Sequence, residues 1–506
     1  MQLVNKFIRS ILIITIINLE VKPGLSQIQI PAKIDKNNFT FAQTEKGICQ
    51  ANLGKAIEAI ANRPQYQRGR LGILIETLSS KQVLYSRDRD RYFIPASNTK
   101  ILTTAAALLK FGSQYRIRTS VYDNGNDSIS IVGRGDPSLT NIQLNNLAKQ
   151  LKTRGINRLN LLLGDDSYFT GSLVNPTWQW EDVQAGYGAP INSLIYNQNS
   201  IDLKLSPQGI GKPLKVDWIY PKTAPEWQIE NNSITVATNE PEFVEVGREF
   251  NKPIIRVSGQ LRVGSEPEPV YVAVTEPGDR FLQEFQKILI STGISVNKIS
   301  LKSSLTPGIV TQTKSELAAV ESPNLAKIIT ETNQVSNNLY AEALLRIMGA
   351  EAGKKNQTNP TNKNTASLGL QVVKDTLNRV GVNPNTYNQT DGSGLSRINA
   401  ISPEALVQIL RVMAFSPAAN VWKDSLPVNG ISGTLINRLR NTSNGVIIRA
   451  KSGTISGVFA LSGYIENPNY ETLVFSIIIN QSNLSSAMLR QPIDDIIVLL
   501  SRLRRC

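Results

Sequence analysis

The hydrophobic pattern divides the chain into a β-rich middle part and two flanks with longer helical patterns. Between residues 115 and 315, short apolar or alternating segments bounded by Gly, Pro, Asn and Asp indicate strands. These segments are 116–122, 128–132, 160–164, 201–205, 234–237 and 254–261. One helix, predicted at 279–292, interrupts them and ends near Gly293.

The flanking segments predict helices and a pair of longer strands. Good helix formers fill 98–110, and helical patterns at 325–332 and 339–348 are separated by a short polar connection. Apolar runs at 458–465 and 472–480 predict two paired strands. A chain of 506 residues with 41% apolar content is long enough for several packed domains.

Residues 1–26 have the composition of a secretory signal. Lys6 and Arg9 precede a mostly apolar run at 11–19, and Gly24-Leu25-Ser26 offers small residues for cleavage. The run is well short of the roughly 20 residues needed to span a bilayer. We therefore predict an exported protein and expect the leader to be cleaved.

The chain contains no histidine, which excludes several catalytic mechanisms at once. A Ser-His-Asp triad, a Cys-His pair and a histidine-ligated zinc site are all ruled out. What remains for a hydrolase is a lysine-based serine enzyme or a carboxylate-based one. A lysine base must be neutral, so its usual pKa of about 10.4 has to be lowered by burial or by a nearby cation.

Three short motifs would supply a lysine-based site. They are Ser97-Asn98-Thr99-Lys100, Ser336-Asn337-Asn338 and Lys451-Ser452-Gly453, in this order along the chain. Ser97 and Lys100 stand three residues apart at the start of a predicted helix, so the amine can reach the hydroxyl. Lys451 is the candidate cation that would lower the pKa of Lys100. Each motif alone is common, but the ordered set indicates a serine hydrolase.

Four further blocks add to the motifs: 92–97 around the nucleophile, 133–139, 189–190 and 391–397. Together they resemble the D-alanyl-D-alanine carboxypeptidase/endopeptidase family, the class C low-molecular-mass penicillin-binding proteins. The resemblance covers nearly everything from about Cys49 to the C-terminus. It implies an α+β multidomain fold, in which β-rich inserted domains interrupt a β-lactamase/transpeptidase-like catalytic domain. That domain has an antiparallel sheet with helices on both faces and an all-helical subdomain.

The spacing of the motifs agrees with this family. More residues separate Ser97 from Ser336 than a simple carboxypeptidase or a class A β-lactamase needs, so an insertion must lie between them. The resemblance implies a catalytic domain at 42–114 and 316–506, an inserted domain II at 115–196 and 267–315, and an inserted domain III at 197–266. A Glu-x-x-Leu-Asn block is absent from the sequence, which disfavours a β-lactamase.

The resemblance also implies roles for the motif residues. Ser97 would attack the carbonyl of the D-Ala-D-Ala peptide bond and form an acyl-enzyme, while Lys100 would take its proton. Ser336 would pass a proton to the leaving amine, and Asn338 would hold the substrate amide. Lys451 would complete this polar network.

The third motif would bind the substrate. By resemblance, Ser452, Gly453 and Thr454 line the position of the substrate carboxylate, and the backbone N–H groups of Ser97 and Thr454 form the oxyanion hole. Position 452 is Ser where the family more often has Thr, so the hydroxyl is kept. β-Lactams would acylate Ser97 because the lactam resembles the D-Ala-D-Ala terminus.

The segment 178–182, with two tryptophans, and the nearby Tyr187 permit two interpretations. One is an aromatic cluster at the edge of the core. The other, implied by the resemblance, is a pocket in which Asp182 receives the free ammonium of a diamino acid in the stem peptide. Tyr187 and Arg397 would line the same pocket, and a charge-assisted hydrogen bond would offset the desolvation cost of the carboxylate.

Further expectations concern the chain ends, partners and location. Export allows Cys49 and Cys506 to pair, and in this family both chain ends belong to the catalytic domain, so a disulfide is the hypothesis. The net charge of +14 favours peripheral contact with cell-wall polymer or a membrane surface, and nucleic acid is not expected. The expected location is the periplasm, or the cell-wall side of a bacterial cytoplasmic membrane. Neither a metal nor an organic cofactor is implied.

Two other functions remain open at this point. The protein could be a cell-wall-binding scaffold with little or no turnover, or a promiscuous serine esterase of the same fold. The full set of motif residues favours the peptidase. The balance between carboxypeptidase and endopeptidase activity depends on the shape of the cleft, since the acylation chemistry is the same.

Overall fold

The computed structural model describes residues 47–219, 227–249, 252–303, 315–355 and 364–506. The predicted leader, 1–26, lies outside the described residues. Among the helices in these described ranges, none combines the length and the apolar character required to cross a membrane.

In the described residues, most helices lie in the flanks, and the middle of the chain consists mainly of strands. The helices are α1 (Gln50–Ala61), α2 (Thr99–Phe111), α3 (Asn141–Thr153), α4 (Pro277–Ser291), α5 (Leu325–Gln334), α6 (Asn338–Lys355), α7 (Thr365–Arg379), α8 (Pro403–Ala414), α9 (Ala419–Ser425) and α10 (Ser486–Ser501). The strands are β1 (Ile48–Cys49), β2 (Arg70–Thr77), β3 (Val83–Arg87), β4 (Arg118–Gly125), β5 (Ser128–Val132), β6 (Arg158–Asp166), β7 (Ser200–Ser206), β8 (Lys215–Trp218), β9 (Gln228–Asn231), β10 (Ile234–Val236), β11 (Phe243–Arg248), β12 (Ile254–Arg262), β13 (Glu268–Ala273), β14 (Ser295–Ser303), β15 (Glu316–Glu321), β16 (Tyr387–Asn388), β17 (Ala400–Ile401), β18 (Ile447–Ile455), β19 (Val458–Glu466), β20 (Leu473–Asn480) and β21 (Leu503–Arg504).

The two flanks combine in one antiparallel sheet, the central sheet, with the strand order β18-β19-β20-β2-β3. Every residue of β20 is buried, so both faces of this strand are covered. Phe475 and Ile477 pack on one face with Ile493 of α10, whereas Val474 and Ile478 share the opposite core with α8. The predicted antiparallel sheet between helices is confirmed.

Helix α2 runs through the core of the helical part. All residues from 99 to 108 are buried, and α2 contacts α5, α6, α7 and α8. A helix buried on all sides needs apolar or satisfied polar side chains all round. Ala105 and Ala106 allow close packing, Thr103 Oγ1 donates to Gly392 O at 2.7 Å, and Thr104 Oγ1 donates to Lys100 O at 2.6 Å. The first motif therefore stands on a rigid support.

The middle of the chain forms further sheets. One has the order β14-β6-β5-β4-β15, with β6 parallel to both of its neighbours, and packs α3 and α4 around Leu147 and Phe285. The others are β13-β7-β8 and a sheet in which β12 pairs with β9, β10 and β11. These two share a core that contains Leu203, Val257 and Val272. Each predicted strand of the middle part overlaps an observed strand.

The prediction of a single helix in the middle part was wrong. The predicted helix at 279–292 corresponds to α4, but α3 also lies within this part of the chain. The buried residues Leu144, Leu147 and Leu151 have helical spacing, and Thr140 with Gln143 forms a capping box at the start. The many Asn and Gln residues between the leucines weaken the apolar pattern, so the sequence did not predict this helix.

Two strands pair differently from the predicted domain grouping. The strand β15 lies beyond the predicted boundary at 315, yet it pairs with β4 of the inserted sheet. The strand β13 lies within the predicted second part of domain II, but it pairs with β7.

The ends of the described chain lie side by side. The strand β1 pairs in parallel with β21, and a disulfide joins Cys49 to Cys506 with a Cα–Cα distance of 5.7 Å. The two cysteines are 457 positions apart in sequence, so the bond closes almost the whole described chain into one loop. It also fixes α1 next to α10 on one face of the central sheet.

Replacing both cysteines, Cys49→Ser with Cys506→Ser, is expected to lower the free energy of unfolding by about 2–4 kcal/mol, because the crosslink restricts the unfolded chain. Urea denaturation of the double variant should match that of the reduced wild-type protein. Hydrolytic activity in native buffer should be retained, since neither cysteine lines the cleft described below. An unchanged denaturation midpoint in both samples would contradict this prediction.

Candidate active site

The nucleophile candidate Ser97 lies in a short 3-10 turn, Ala96–Asn98, that leads into α2. The sequence predicted that Ser97 would stand within the first helical turn, and the structure places it just before the α-helix. Ala96 has a φ of +47°, a conformation that non-glycine residues rarely adopt. The Ser97 side chain is thereby directed into a cleft, and its backbone N–H lies at the positive end of the helix.

Lys100 lies on the first turn of α2 and points back at Ser97. Its Nζ lies 3.0 Å from Ser97 Oγ, 2.6 Å from Asn338 Oδ1 and 2.7 Å from the carbonyl oxygen of Ser393. The side chain is fully buried, and this burial lowers the pKa of Lys100 to about 7, against the opposing effect of Asp391 and Glu342. A neutral amine beside the hydroxyl is what a general base requires.

The second and third motifs meet at Lys451. Its Nζ donates to Ser336 Oγ at 2.9 Å and to the carbonyl oxygen of Ser452 at 2.7 Å. Ser336 has a φ of +64° in the connection between α5 and α6, which turns its hydroxyl into the cleft. Burial, and then repulsion from Lys100, lower the pKa of Lys451 well below its usual value.

The two lysines do not act on each other as the sequence analysis expected. Burial, rather than the charge of Lys451, is the main cause of the lowered pKa of Lys100. Because the repulsion between two buried ammonium groups is mutual, Lys100 and Lys451 are not both protonated near neutral pH. One amine is then available to accept a proton from the serine hydroxyl.

The strand β18 brings the third motif to the nucleophile along an edge of the central sheet. Lys451 stands in the middle of β18. The N–H groups of Ile448 and Ala450 point away from β19, because they donate to Asn429 Oδ1 and to Pro427 O. Since alternate N–H groups of a strand share a side, that of Thr454 points the same way, towards the cleft.

Glycine at position 453 allows β18 to approach the turn at Ser97. A Cβ atom there would lie 2.7 Å from Pro95 O and 2.9 Å from Ser97 N. A substituted residue would therefore separate the N–H groups of Ser97 and Thr454. Their close approach makes them suitable donors to an oxyanion.

The cleft around Ser97 has a volume of about 400 Å3. Its lining residues come from the first two motifs, from the insertion, from 391–397 and from 454–456, directly after the third motif: Ser97, Gln179, Asp182, Tyr187, Ser336, Asn338, Gly394, Leu395, Arg397, Thr454, Ile455 and Ser456. The structure thus brings the predicted pocket residues into the same cleft as the motifs. Lys100 and Lys451 are buried beneath it.

Asp182, Tyr187 and Arg397 form one wall of this cleft. Tyr187 Oη donates to Asp182 Oδ1 at 3.2 Å, and burial raises the pKa of Asp182 despite this bond. Arg397 donates to Gln179 Oε1 at 2.8 Å and to the carbonyl oxygen of Ser456 at 2.9 Å. The nearby Trp178 is core, since it is buried and its Nε1 donates to a buried carboxylate.

The inserted strands hold the loop that carries Asp182 and Tyr187. Ala185 forms an isolated bridge with Val272 of β13, and Gln184 Oε1 accepts a hydrogen bond from the backbone N–H of Arg248 at 3.2 Å. Asn338 Nδ2, from the second motif, donates to the carbonyl oxygen of Tyr187 at 2.9 Å. The insertion is therefore part of the site.

Sequence reasoning missed several residues that support the site. Thr434 Oγ1 lies 2.7 Å from Ser452 Oγ and orients that hydroxyl. The carbonyl of Ser393 accepts from Lys100, and buried Asp391 accepts the N–H groups of Gly394 and Ser396 at 2.8 and 2.7 Å. The block 391–397 was recognised in the sequence, but a carbonyl contact has no residue-type signal. In the part of the chain that the structure describes, no cluster of three or more potential metal ligands is found.

Comparisons with known proteins identify the family of the chain. The sequence model of the D-Ala-D-Ala carboxypeptidase 3 (S13) family matches residues 53–503. The chain belongs to this family. The S13 enzyme is a serine-type hydrolase of the D-Ala-D-Ala carboxypeptidase class, as the resemblance predicted.

The alignments with individual relatives span most of this chain. The D-alanyl-D-alanine carboxypeptidase of Actinomadura sp. is 30% identical over 450 residues, which are 85% of this chain and 81% of that protein. Penicillin-sensitive carboxypeptidase A of Dictyostelium discoideum is 28% identical over 454 residues, 83% and 84% of the two chains. The crystal structure of penicillin-binding protein 4 from Haemophilus influenzae matches with a TM-score of 0.72 at 24% identity, over 88% of this chain and 97% of that one. This last match supports the fold.

The S13 enzyme should gain activity as the pH rises through about 7, because a base must be neutral to act and burial lowers the pKa of Lys100 to about that value. The measurement is kcat/KM for a D-Ala-D-Ala peptide as a function of pH. In Lys100→Arg, whose side chain stays protonated, kcat/KM should fall by at least about 100-fold. A profile that does not change on the acid side would contradict the role of Lys100.

Proposed function

We propose that the enzyme cleaves the terminal D-Ala-D-Ala bond of peptidoglycan stem peptides through an acyl-enzyme on Ser97, with Lys100 as the general base. The observation that carries this proposal is the position of Lys100 Nζ, 3.0 Å from Ser97 Oγ, in a buried site that lowers its pKa to about 7. The family membership gives the reaction class, and the motif geometry supports the proposed residue roles.

In the acylation step, the Ser97 hydroxyl gives its proton to the neutral amine of Lys100 while Oγ bonds to the peptide carbonyl carbon. The carbonyl oxygen becomes an oxyanion, and the N–H groups of Ser97 and Thr454 stabilise it. Asn338 keeps Lys100 aimed at the hydroxyl by accepting from its Nζ at 2.6 Å. Positioning of this kind lowers the entropic part of the barrier.

The C–N bond then breaks, and the leaving D-alanine amine needs a proton. Ser336 is the candidate donor, since its hydroxyl faces the cleft and contacts Lys451 Nζ, from which it can be reprotonated. A water molecule subsequently attacks the ester carbonyl and gives its proton through Ser336 to Lys451, whose amine is neutral at this stage. Lys100 returns its proton to Ser97 Oγ as the ester C–O bond breaks, which releases the shortened peptide and leaves both lysines in their starting protonation states.

The edge of β18 is the proposed binding site for the substrate backbone. A peptide laid along Ser452 to Thr454 would add itself to the central sheet as a further strand, and its terminal carboxylate would reach the hydroxyl groups of Ser452 and Thr454. A β-lactam would occupy the same position and acylate Ser97 by opening its ring. The same chemistry would also serve an internal D-Ala bond of a crosslink if that substrate fits the cleft.

The wall formed by Asp182, Tyr187 and Arg397 is the proposed pocket for the diamino acid of the stem peptide. A cationic side chain placed there would form a charge-assisted hydrogen bond with Asp182, whose carboxylate has only partial access to solvent. The substrate and the sequence of residues 1–26 together support a location outside the cytoplasm, in the periplasm or at the cell wall.

Incubation with benzylpenicillin tests the nucleophile directly. We expect one drug-sized mass adduct on the wild-type chain and none on Ser97→Ala, because only the serine hydroxyl can form the ester. The measurement is intact-protein mass spectrometry on the folded chain. Thr99→Ser, which keeps a hydroxyl two residues away, is the matched control and should still be acylated. An adduct that persists in Ser97→Ala would assign the nucleophile to another residue.

The pocket role of Asp182 has a separate test. Asp182→Asn keeps an oxygen acceptor for Tyr187 but removes the charge, so kcat/KM should fall about tenfold or more for a stem peptide with a free side-chain ammonium. The same peptide with that amine acetylated should be hydrolysed equally by both enzymes. Acylation by benzylpenicillin should also stay unchanged. An equal loss for both peptides would refute selection by charge.

A further inference from the structure

A buried carboxylate lies behind the candidate base and has no role in the mechanism above. Glu342 is 2% exposed, and it stands on α6 one helical turn after Asn338. Its Oε1 accepts the backbone N–H groups of Gly392 and Ser393 at 2.8 and 2.9 Å. The carbonyl of Ser393 is in turn an acceptor for Lys100 Nζ at 2.7 Å. One residue, Ser393, therefore separates the carboxylate from the amine.

The backbone at 392–393 is fixed from both sides. Gly392 packs so closely on α6 that a Cβ atom there would lie 2.7 Å from Ala341 O. From the other side, Thr103 Oγ1 donates to the carbonyl of Gly392 at 2.7 Å. The next peptide group, which carries the Ser393 carbonyl, is held by the N–H of Gly394, which donates to Asp391 Oδ1 at 2.8 Å. These contacts and the two bonds to Glu342 restrict the direction of the Ser393 carbonyl.

The negative charge of Glu342 acts in addition to its two hydrogen bonds to the backbone. A neutral side chain could accept the same two N–H groups, whereas an ionised carboxylate in the core costs several kcal/mol unless a cation offsets it. The charged groups that act on Glu342 are Lys100 on α2, Asp391 on the adjoining loop and Arg346 one turn further along α6. Burial and Asp391 raise the pKa of Glu342 to about 7, while Arg346 and the hydrogen bonds oppose this rise.

We propose that Glu342 is a positioning residue for the general base: it holds the Ser393 carbonyl on Lys100 Nζ, and its negative charge sets how firmly Lys100 retains a proton. This inference rests on the proposed role of Lys100. The second motif thereby extends along one face of α6, from Asn338, which contacts the amine directly, to Glu342, which acts on it through the backbone.

The variant Glu342→Gln separates charge from geometry, because its amide oxygen can still accept the two N–H groups. Loss of the negative charge disfavours the protonated form of Lys100, so the acid limb of the kcat/KM profile should move to lower pH. We expect a shift of about half a pH unit or more, which is about threefold in rate on the acid side. A purely structural residue would change the rate without moving the limb.

The matched control is Glu351→Gln, on the same helix. Glu351 contacts Tyr168 and Lys354 and is not among the groups that act on Lys100. The acid limb of the kcat/KM profile of Glu351→Gln should coincide with that of the wild type. A limb that moves equally in both variants, or that stays fixed in Glu342→Gln, would overturn the proposal. If instead the acid limb survives in Lys100→Arg, the proposed base is wrong and the failure lies with the proposed function.

Folding of the variant is checked by thermal denaturation, and Glu342→Asp serves if the Gln variant does not fold. The shorter carboxylate keeps the charge but cannot reach both N–H groups. It should therefore lower kcat/KM about tenfold while the acid limb stays within about 0.2 pH units of wild type. Wild-type activity in this variant would overturn the positioning role.

Discussion

Two lysine side chains buried at one site impose the constraint on which the structure around the cleft depends. Lys100 and Lys451 are each fully buried, and water cannot solvate their charge. Two ammonium groups left without partners would cost several kcal/mol each. Hydrogen-bond acceptors from separate segments satisfy the two amines. Asn338 and Ser393 accept from Lys100, whereas Ser336 and the carbonyl of Ser452 accept from Lys451. Segments remote in sequence must therefore converge. Burial is the main cause of the lowered pKa of both amines, and a lowered pKa is what the proposed base requires.

The same requirement explains why the insertion is more than an attached module. The amide of Asn338 has both of its ends engaged, with Oδ1 on Lys100 and Nδ2 on the carbonyl of Tyr187. The loop of Tyr187 is in turn held by Val272 and Arg248, which belong to inserted strands. A displacement of these strands would reach the base through a single side chain. The proposed substrate-binding wall and the proposed proton transfer at Ser97 would thus share one hydrogen-bonded connection, Asn338.

The sequence predicted the parts of the site that residue types can reveal, together with the fold class. Ser97, Lys100 and Lys451 have chemistry and order that few proteins share, so their convergence followed from the motifs. The residues that support the motifs could not be predicted in the same way. Ser393 contacts Lys100 through its backbone carbonyl, which every residue type has. Glu342 was also missed, since a glutamate on a helix is usually solvated and its burial depends on how α6 packs against the loop at 391–396. Tertiary packing decided both.

Two glycines set the distances on which catalysis would depend. On one side of the nucleophile turn, a Cβ atom at Gly394 would lie 1.8 Å from Ala96 O, and Gly394 itself has a φ of +88°. On the other side, Gly453 lets β18 approach Ser97 N. The turn is thus held between two close backbone contacts, and this confinement can maintain the unfavourable φ of Ala96. Because the proposed oxyanion donors, the N–H groups of Ser97 and Thr454, come from the two confined segments, we expect their spacing to be set before a substrate arrives. Preorganised donors need no reorganisation as charge develops, so the rigid backbone would contribute to the rate of the proposed acylation alongside the lysine.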